Sequence, residues 1–291
     1  GLLRYFDTNT YYRQPRATAE PAWTHPILVA DWKAADEIAR EAARERGLVP
    51  LPVKACLVGP YTLGRLSDPG AVGRETLTLS LAEALAQEIR ALVEAGAPVV
   101  QVDENALTMI GSADDAERSL ASDALNRLTD GLADLADAHL CLAVTMGSAE
   151  HTGARLLYDR PFASYLFDLI AGPDSWRVIA QAPQERGIVC GVADARNTAR
   201  DDEAVMIWAA RYAASLNARG LDRVGLAPST GLEYLPRDRA KAKIEALAEA
   251  ARKAGLRADR LAHEIDPRAV DARSAALGSY EPGVRPQGRG S

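Results

Sequence analysis

The chain alternates between short, continuous apolar runs and longer stretches whose apolar residues recur every three to four positions. KACLVGPYTL (54–63), VVQVDENAL (99–107), HLCLAVTMGS (139–148), SYLFDLIAG (164–172), GIVCGVADAR (187–196) and DRVGLAPSTGL (222–232) are the continuous runs, and they predict strands. Between them, ETLTLSLAEALAQEIRALVEAG (75–96) sets Leu77, Leu81, Leu85, Ile89 and Val93 on one side of a helix that Gly96 stops. ASDALNRLTDGLADLADA (121–138), PDSWRVIAQAPQERG (173–187), DDEAVMIWAARYAASLNARG (201–220) and PRDRAKAKIEALAEAARKAG (236–255) predict further helices. Asp174 and Pro236 are placed where first turns favour them. Apolar strands alternating with amphipathic helices imply a parallel sheet covered by helices. The expected fold is therefore α/β, a (β/α)8 TIM barrel. Strands are visible near 55, 100, 142, 166, 190 and 225. The first strands of the barrel are expected to be missing, or supplied by a partner or the tail.

Residues 1–35 break the alternation and read as a hairpin or loop segment over the barrel mouth, with HPILVADW extended. Residues 36–257 carry the barrel strands and helices. Residues 258–291 read as an extended, partly mobile tail rich in Arg, Gly and Pro. The chain opens on GLLRYFDTNT without an initiator Met, which reads as a trimmed start.

Composition narrows the function classes. The 291 residues carry a formal net charge of −6, which argues against non-specific nucleic-acid binding. No apolar run reaches the roughly 18 residues of a membrane helix, and no signal peptide opens the chain. Cys56, Cys141 and Cys190 each sit inside an apolar run, which reads as reduced, buried thiols in a cytoplasmic protein. No G-x-G-x-x-G, P-loop or G-x-S-x-G is present.

The candidate chemistry gathers at strand ends, where barrels of this kind build their sites. Asp103, Glu104 and Asn105 end one strand, and Thr145 and Ser148 the next. Asp168 lies within SYLFDLIAG. Asp194, Arg196 and Asn197 end another strand, and Ser229 and Thr230 the last. Buried charge is costly unless paired, so polar groups repeated at one end of a sheet point to a ligand site, one suited to an amine or guanidinium. The competing explanations are local: helix capping for Asp103 or Asp194, an Arg partner for Glu104, turn bonding for the hydroxyls. Of the histidines, His25, His139 and His263 read as structural or solvated, and His151 falls just past a strand end, a candidate for the site.

Several motifs resemble those of the cobalamin-independent methionine synthase superfamily. RYFDTNTYYRQP is similar to its W-F-D-T-N-Y-H-Y, LVGPYTL to its Gly-Pro-Val-Thr stretch, and VVQVDENAL to its Q-I-D-E-P-A-L. GVADARNTAR is similar to G-V-V-D-G-R-N-I-W-R, and LAPSTGLEYLP to L-A-P-S-C-S-L-L-H-V-P. The matches run in order over residues 4–240 and are best to the half of that enzyme that carries no metal.

The resemblance implies (β/α)8 barrels, of which the catalytic one moves a methyl group from a methylated folate to the homocysteine thiol with the help of zinc. It implies that Asp103, with Glu104 beside it, holds a substrate ammonium group, and both are expected catalytic residues; without zinc another base must activate the acceptor, and His151, the only imidazole near a strand end, is the expected one. Asp194, Arg196, Asn197, Ser229, Thr230 and Thr145 are the expected substrate-binding residues. The expected donor is 5-methyltetrahydrofolate. Zinc is not expected: Thr145-Met146-Gly147 stands where the family has His-x-Cys, Thr230 where it has a Cys, and Asp168 is out of register for the zinc-binding Glu.

The family's opening Ile-Gly-Ser-Phe-Pro strand has its nearest counterpart in ALGSYEP (276–282). The expected function is methyl transfer to a small amino acid or thiol. The alternatives are a lyase or hydrolase step in the same barrel, or a non-catalytic subunit completing a partner's site. The expected partners are a small molecule and a homo- or hetero-oligomer closing the barrel.

Overall fold

The computed structural model describes residues 1–135, 138–257 and 260–261. A short antiparallel hairpin, β1 (Leu2–Arg4) and β2 (Tyr11–Arg13), opens the chain. After helix α1 (Val29–Glu45), six parallel strands follow in sequential order: β3 (Ala55–Val58), β4 (Val99–Asp103), β5 (His139–Val144), β6 (Ser164–Asp168), β7 (Gly187–Ala193) and β8 (Val224–Pro228). Helices α2 (Pro60–Leu66) and α3 (Arg74–Glu94) lie between β3 and β4, and α4 (Asp115–Asp130) follows β4. Then come α5 (Ala154–Tyr158), α6 (Trp176–Ile179), α7 (Glu203–Ser215) and α8 (Arg237–Ala254), one after each remaining strand. All six predicted strands are present, in the order a barrel wall requires.

The two faces of the sheet differ because successive side chains in a strand point to opposite sides. Leu57, Val100, Val102, Leu140, Leu142, Val144, Tyr165, Phe167, Ile188 and Cys190 face the helices and join the main core. The opposite face holds a small cluster of Cys141, Ala143 and Leu166, flanked by Val99, Val189 and Ala227. Above that cluster the inward residues turn polar. β3 and β8 are the sheet edges, and among the described residues neither pairs with a further strand. That explains a departure from expectation: Cys141 and Cys190 are buried, but Cys56 on the inward face of β3 is exposed.

HPILVADW is not extended; α1 begins inside it, at Val29. The cause is remote. Buried Glu88 of α3 accepts the Ile27 and Leu28 amides at 2.9 and 2.7 Å and the Trp23 indole N–H at 2.8 Å, and so holds the residues that lead into α1. Trp32 is buried behind it and donates to the Val53 carbonyl at 2.9 Å. The Gly-Pro pair after β3 also opens a helix, with Pro60 in the first turn of α2. The segment ALGSYEP and His263 lie outside the described residues.

Candidate functional site

The carboxyl ends of the strands, together with the hairpin, enclose two adjoining basins. One, of about 530 Å3, is lined by Lys54 and Cys56 near β3, Gln101 and Asp103 of β4, then Asn105, Thr145 and Met146, and Thr230, Glu233 and Tyr234 beyond β8; Tyr5 of the hairpin covers it. The other, of about 620 Å3, is lined by Asp194, Arg196 and Asn197 after β7 and by Arg4 and Asp7 to Thr10 of the hairpin; Tyr234 borders both. Asp103, Thr145 and Thr230 therefore share one cavity, and Asp194, Arg196 and Asn197 share its neighbour.

Asp103 ends β4 on the inward face. Its Oδ1 accepts from Gln101 Nε2 at 2.6 Å, and Gln101 Oε1 accepts from the Lys54 ammonium at 2.5 Å. Burial raises the Asp103 pKa above its ordinary value, against the Gln101 hydrogen bond and the Lys54 charge. Asn105 bridges the mouth: Thr145 Oγ1 donates to its Oδ1 at 2.7 Å, and its Nδ2 donates to the Tyr5 hydroxyl at 3.0 Å. Burial pushes the Tyr5 phenol up, and the nearby Asp103 charge adds to it. The hairpin is fastened by Tyr12, whose hydroxyl donates to the Leu66 carbonyl at 3.0 Å.

Five expected residues are placed elsewhere. Glu104 does not face the cavity. The two-residue period of β4 sends it to the opposite side from Asp103, toward the start of α2. There Oε1 accepts the Tyr61 amide at 2.9 Å, and Oε2 accepts the Thr62 amide at 2.8 Å and the Thr62 hydroxyl at 2.5 Å. It is completely buried, and burial raises its pKa to about 7 against those three bonds. Gly59 is required beside it, since a Cβ there would lie 2.3 Å from the carboxylate. His151 is exposed beyond β5 and lines neither basin; only its carbonyl is engaged, by Arg118. Ser229 is fully buried, and its hydroxyl accepts the Ala195 amide at 3.2 Å, tying the β7 and β8 loops together.

Asp168 is spent on the loops around it, accepting the amides of Met146, Ile170 and Ala171 at 3.2, 2.9 and 2.8 Å. Met146 needs that hold, because its φ of 73° is a conformation non-glycine residues rarely take. Ser148 likewise serves a turn, accepting the Glu150 amide.

Lys54, Gln101, Tyr5, Glu233 and Tyr234 are cavity residues that sequence reasoning missed. Lys54 and Gln101 were within reach, since each is two residues before a site-facing position on its strand. Tyr5, Glu233 and Tyr234 come from irregular segments, where no periodicity signals direction.

The profile described as "Cobalamin-independent synthase, N-terminal domain" matches residues 1–215. The chain belongs to this family. Relatives named 5-methyltetrahydropteroyltriglutamate–homocysteine methyltransferase include one from Rhodopseudomonas palustris, 29% identical over 243 residues, and one from Chelativorans sp., 31% identical over 252 residues. The match takes in 81% of this chain in both cases, but only 28% and 29% of those relatives, so the chain spans under a third of their length. Solved structures share the cobalamin-independent synthase fold. A B12-independent methionine synthase from a Shewanella strain, in complex with selenomethionine, superposes with a TM-score of 0.68 at 16% identity, over 87% of this chain and 73% of that one. A methyltransferase from Methanosarcina mazei gives 0.57 at 18% identity, over 82% and 72%. The six-stranded parallel sheet is thus the wall of a TIM-barrel fold of the methionine synthase kind.

Proposed function

We propose that this barrel takes part in methionine synthase-like methyl transfer, binding a small amino acid with its ammonium group on Asp103. The observation that carries this reading is the Asp103 carboxylate: it lines a cavity, has one oxygen held by Gln101, and stands near Glu233. A buried carboxylate with a second acidic group beside it favours a cationic ligand group over a neutral one. The relatives' printed names supply the chemistry, with homocysteine as methyl acceptor and a methylated folate as donor. The selenomethionine complex of the Shewanella enzyme supports an amino acid as occupant. Arg196 gives the second basin a cation: its guanidinium has no hydrogen-bond or ion-pair partner among the described residues, which suits a carboxylate of the acceptor or of the folate.

A family-type zinc ion does not fit these residues. Thr145 and Thr230 offer hydroxyls where soft ligands are needed, and the Asp168 carboxylate already serves three amides. Among the described residues no three His, Cys, Asp or Glu side chains gather as a ligand set. His151 lies outside the cavity, so it is not the base that would take the acceptor's proton in place of metal activation.

A second reading is that the barrel binds substrate while the chemistry belongs to another domain. It is favoured by the matched profile, that of the amino-terminal domain. The test is methyl transfer from 5-methyltetrahydrofolate to homocysteine by the purified chain in the presence of a chelator, for wild type and Asp103→Asn. Chelator-resistant turnover that Asp103→Asn abolishes supports the first reading. Amino-acid binding without turnover supports the second, and turnover that needs stoichiometric zinc contradicts the zinc argument.

A further inference from the structure

Lys54, Gln101 and Asp103 form a line on the inward face, on two adjacent strands whose register sets Cys56 opposite Gln101 and Val58 opposite Asp103. The polarity of this line is fixed by its ends. An ammonium can only donate, so the Gln101 atom it meets is the oxygen; a carboxylate can only accept, so the atom facing Asp103 is the amide nitrogen. Asn105 differs, since its neighbours Tyr5 and Thr145 both carry hydroxyls that donate or accept. Gln101 is only 8% exposed, in a row where its strand neighbours on either side are Cys56 and Cys141. A buried amide there is costly unless both its ends are satisfied, and here both are. The arrangement occupies Asp103 Oδ1 and leaves Oδ2 without a hydrogen-bond partner among the described residues.

We propose that Lys54 and Gln101 are positioning residues: the Lys54 ammonium, acting through Gln101, keeps the Asp103 carboxylate ionised and turned so that Oδ2 receives the ammonium of an amino-acid ligand. The ligand part rests on the functional reading above; the electrostatic part stands on the geometry. The charged and titratable groups that interact with Asp103 come from every side: Lys54 and Cys56 from β3, Glu104 next in the chain, Cys141 from β5, Glu233 beyond β8 and Tyr5 from the hairpin. Of these, only Lys54 carries positive charge. Cys56 does not compete for it as an anion: the residue is exposed at the sheet edge, but desolvation on its inward side still pushes the thiol up to about 11. Without the relay, burial and Glu233 would drive Asp103 toward its neutral form, which attracts an ammonium poorly.

The test is a carbon-detected NMR titration of the full chain labelled at the Asp side-chain carboxyl, with the Asp103 signal assigned by its loss in Asp103→Asn. Gln101→Leu removes a hydrogen bond to a charged group and raises the proton affinity of Asp103 about tenfold. Lys54→Met, at an exposed position, raises it about threefold, and Lys54→Arg returns it to the wild-type value. The same samples are titrated with L-methionine at pH 6 and pH 8. Gln101→Leu and Lys54→Met lose more affinity at pH 6 than at pH 8, because protonation competes there.

An unchanged Asp103 titration in both Gln101→Leu and Lys54→Met overturns the relay, even if L-methionine binds through Asp103. A shifted titration with no amino-acid binding in wild type keeps the relay and removes the functional reading. Lys54 is exposed, so Lys54→Met keeps the question answerable should Gln101→Leu fold poorly.

Discussion

Replacing Glu104 with Gln separates its structural role from any role in the cavity. The carboxylate has two acceptor oxygens for the Tyr61 amide, the Thr62 amide and the Thr62 hydroxyl, whereas an amide has one. Below pH 7 the protonated carboxyl donates its O–H to the Thr62 hydroxyl and that oxygen still accepts, whereas an amide NH2 cannot accept, so in the variant one backbone N–H at the start of α2 is left unpaired in a fully buried place. That costs about 1–3 kcal/mol.

The second effect depends on pH. Glu104 has a folded-state pKa of about 7 against an ordinary 4.5, so its raised value favours the fold while the group is protonated. That stability is fully present below 4.5 and is lost as pH rises through 7. At about 1.4 kcal/mol per pH unit, wild type gives up about 2–3 kcal/mol from this group between pH 5 and pH 8. Gln cannot titrate, so Glu104→Gln lacks this decline. Urea denaturation of both proteins, followed by tryptophan fluorescence at each pH, cancels in the difference every titrating group that does not couple to Glu104; Asp103, the charged neighbour, does couple to it. The variant is the less stable by about 1–3 kcal/mol at pH 5, and the gap closes by about 2–3 kcal/mol at pH 8. A gap that stays constant or widens from pH 5 to pH 8 refutes the reasoning.

Two further outcomes follow from the same layer of the fold. Gly59→Ala drives a Cβ to within 2.3 Å of the Glu104 carboxylate and breaks its three bonds, at a cost of about 3–5 kcal/mol; a thermal shift equivalent to under about 1 kcal/mol would show that the side chain has room to move. Glu117 is held at about 2 by Arg74, Tyr61 and Arg65, below its ordinary value, so its stabilisation is present above pH 4.5 and lost as pH falls toward 2. Glu117→Gln therefore loses less stability than wild type on acidification through that range, as read by the midpoint of acid unfolding, and an unchanged acid midpoint would contradict the assignment.

How much of this was legible in the sequence depended on where the physical cause lay. The strands were readable because each is a continuous apolar run, and Asp103, Thr145 and Thr230 because strand ends of a parallel barrel meet at one mouth. α1 was not, because the group that holds its entry, Glu88, comes from α3, 60 residues on from Leu28. Glu104 was assigned to the cavity on adjacency to Asp103, although the period of a strand places neighbours on opposite faces; the Gly-Pro turn that receives it was itself taken for the end of a strand. The same period would have found Gln101, two residues before Asp103, and Lys54, two before Cys56. His151 falls just past a strand end, as the site residues do, yet it is exposed and lines neither cavity. Cys56 was expected to be buried like its counterparts, a reading that holds only for strands with neighbours on both sides.

The claim that Asp103 seizes the ammonium group of a small amino acid is tested most directly by calorimetry. L-methionine is titrated into the full chain at pH 7.5 with a chelator present, and the titration is repeated with Asp103→Asn and with His151→Ala. The account predicts saturable one-site binding by wild type, at least about tenfold weaker binding by Asp103→Asn, and no change for His151→Ala. Wild type that binds no amino acid, or Asp103→Asn that binds as tightly as wild type, contradicts it.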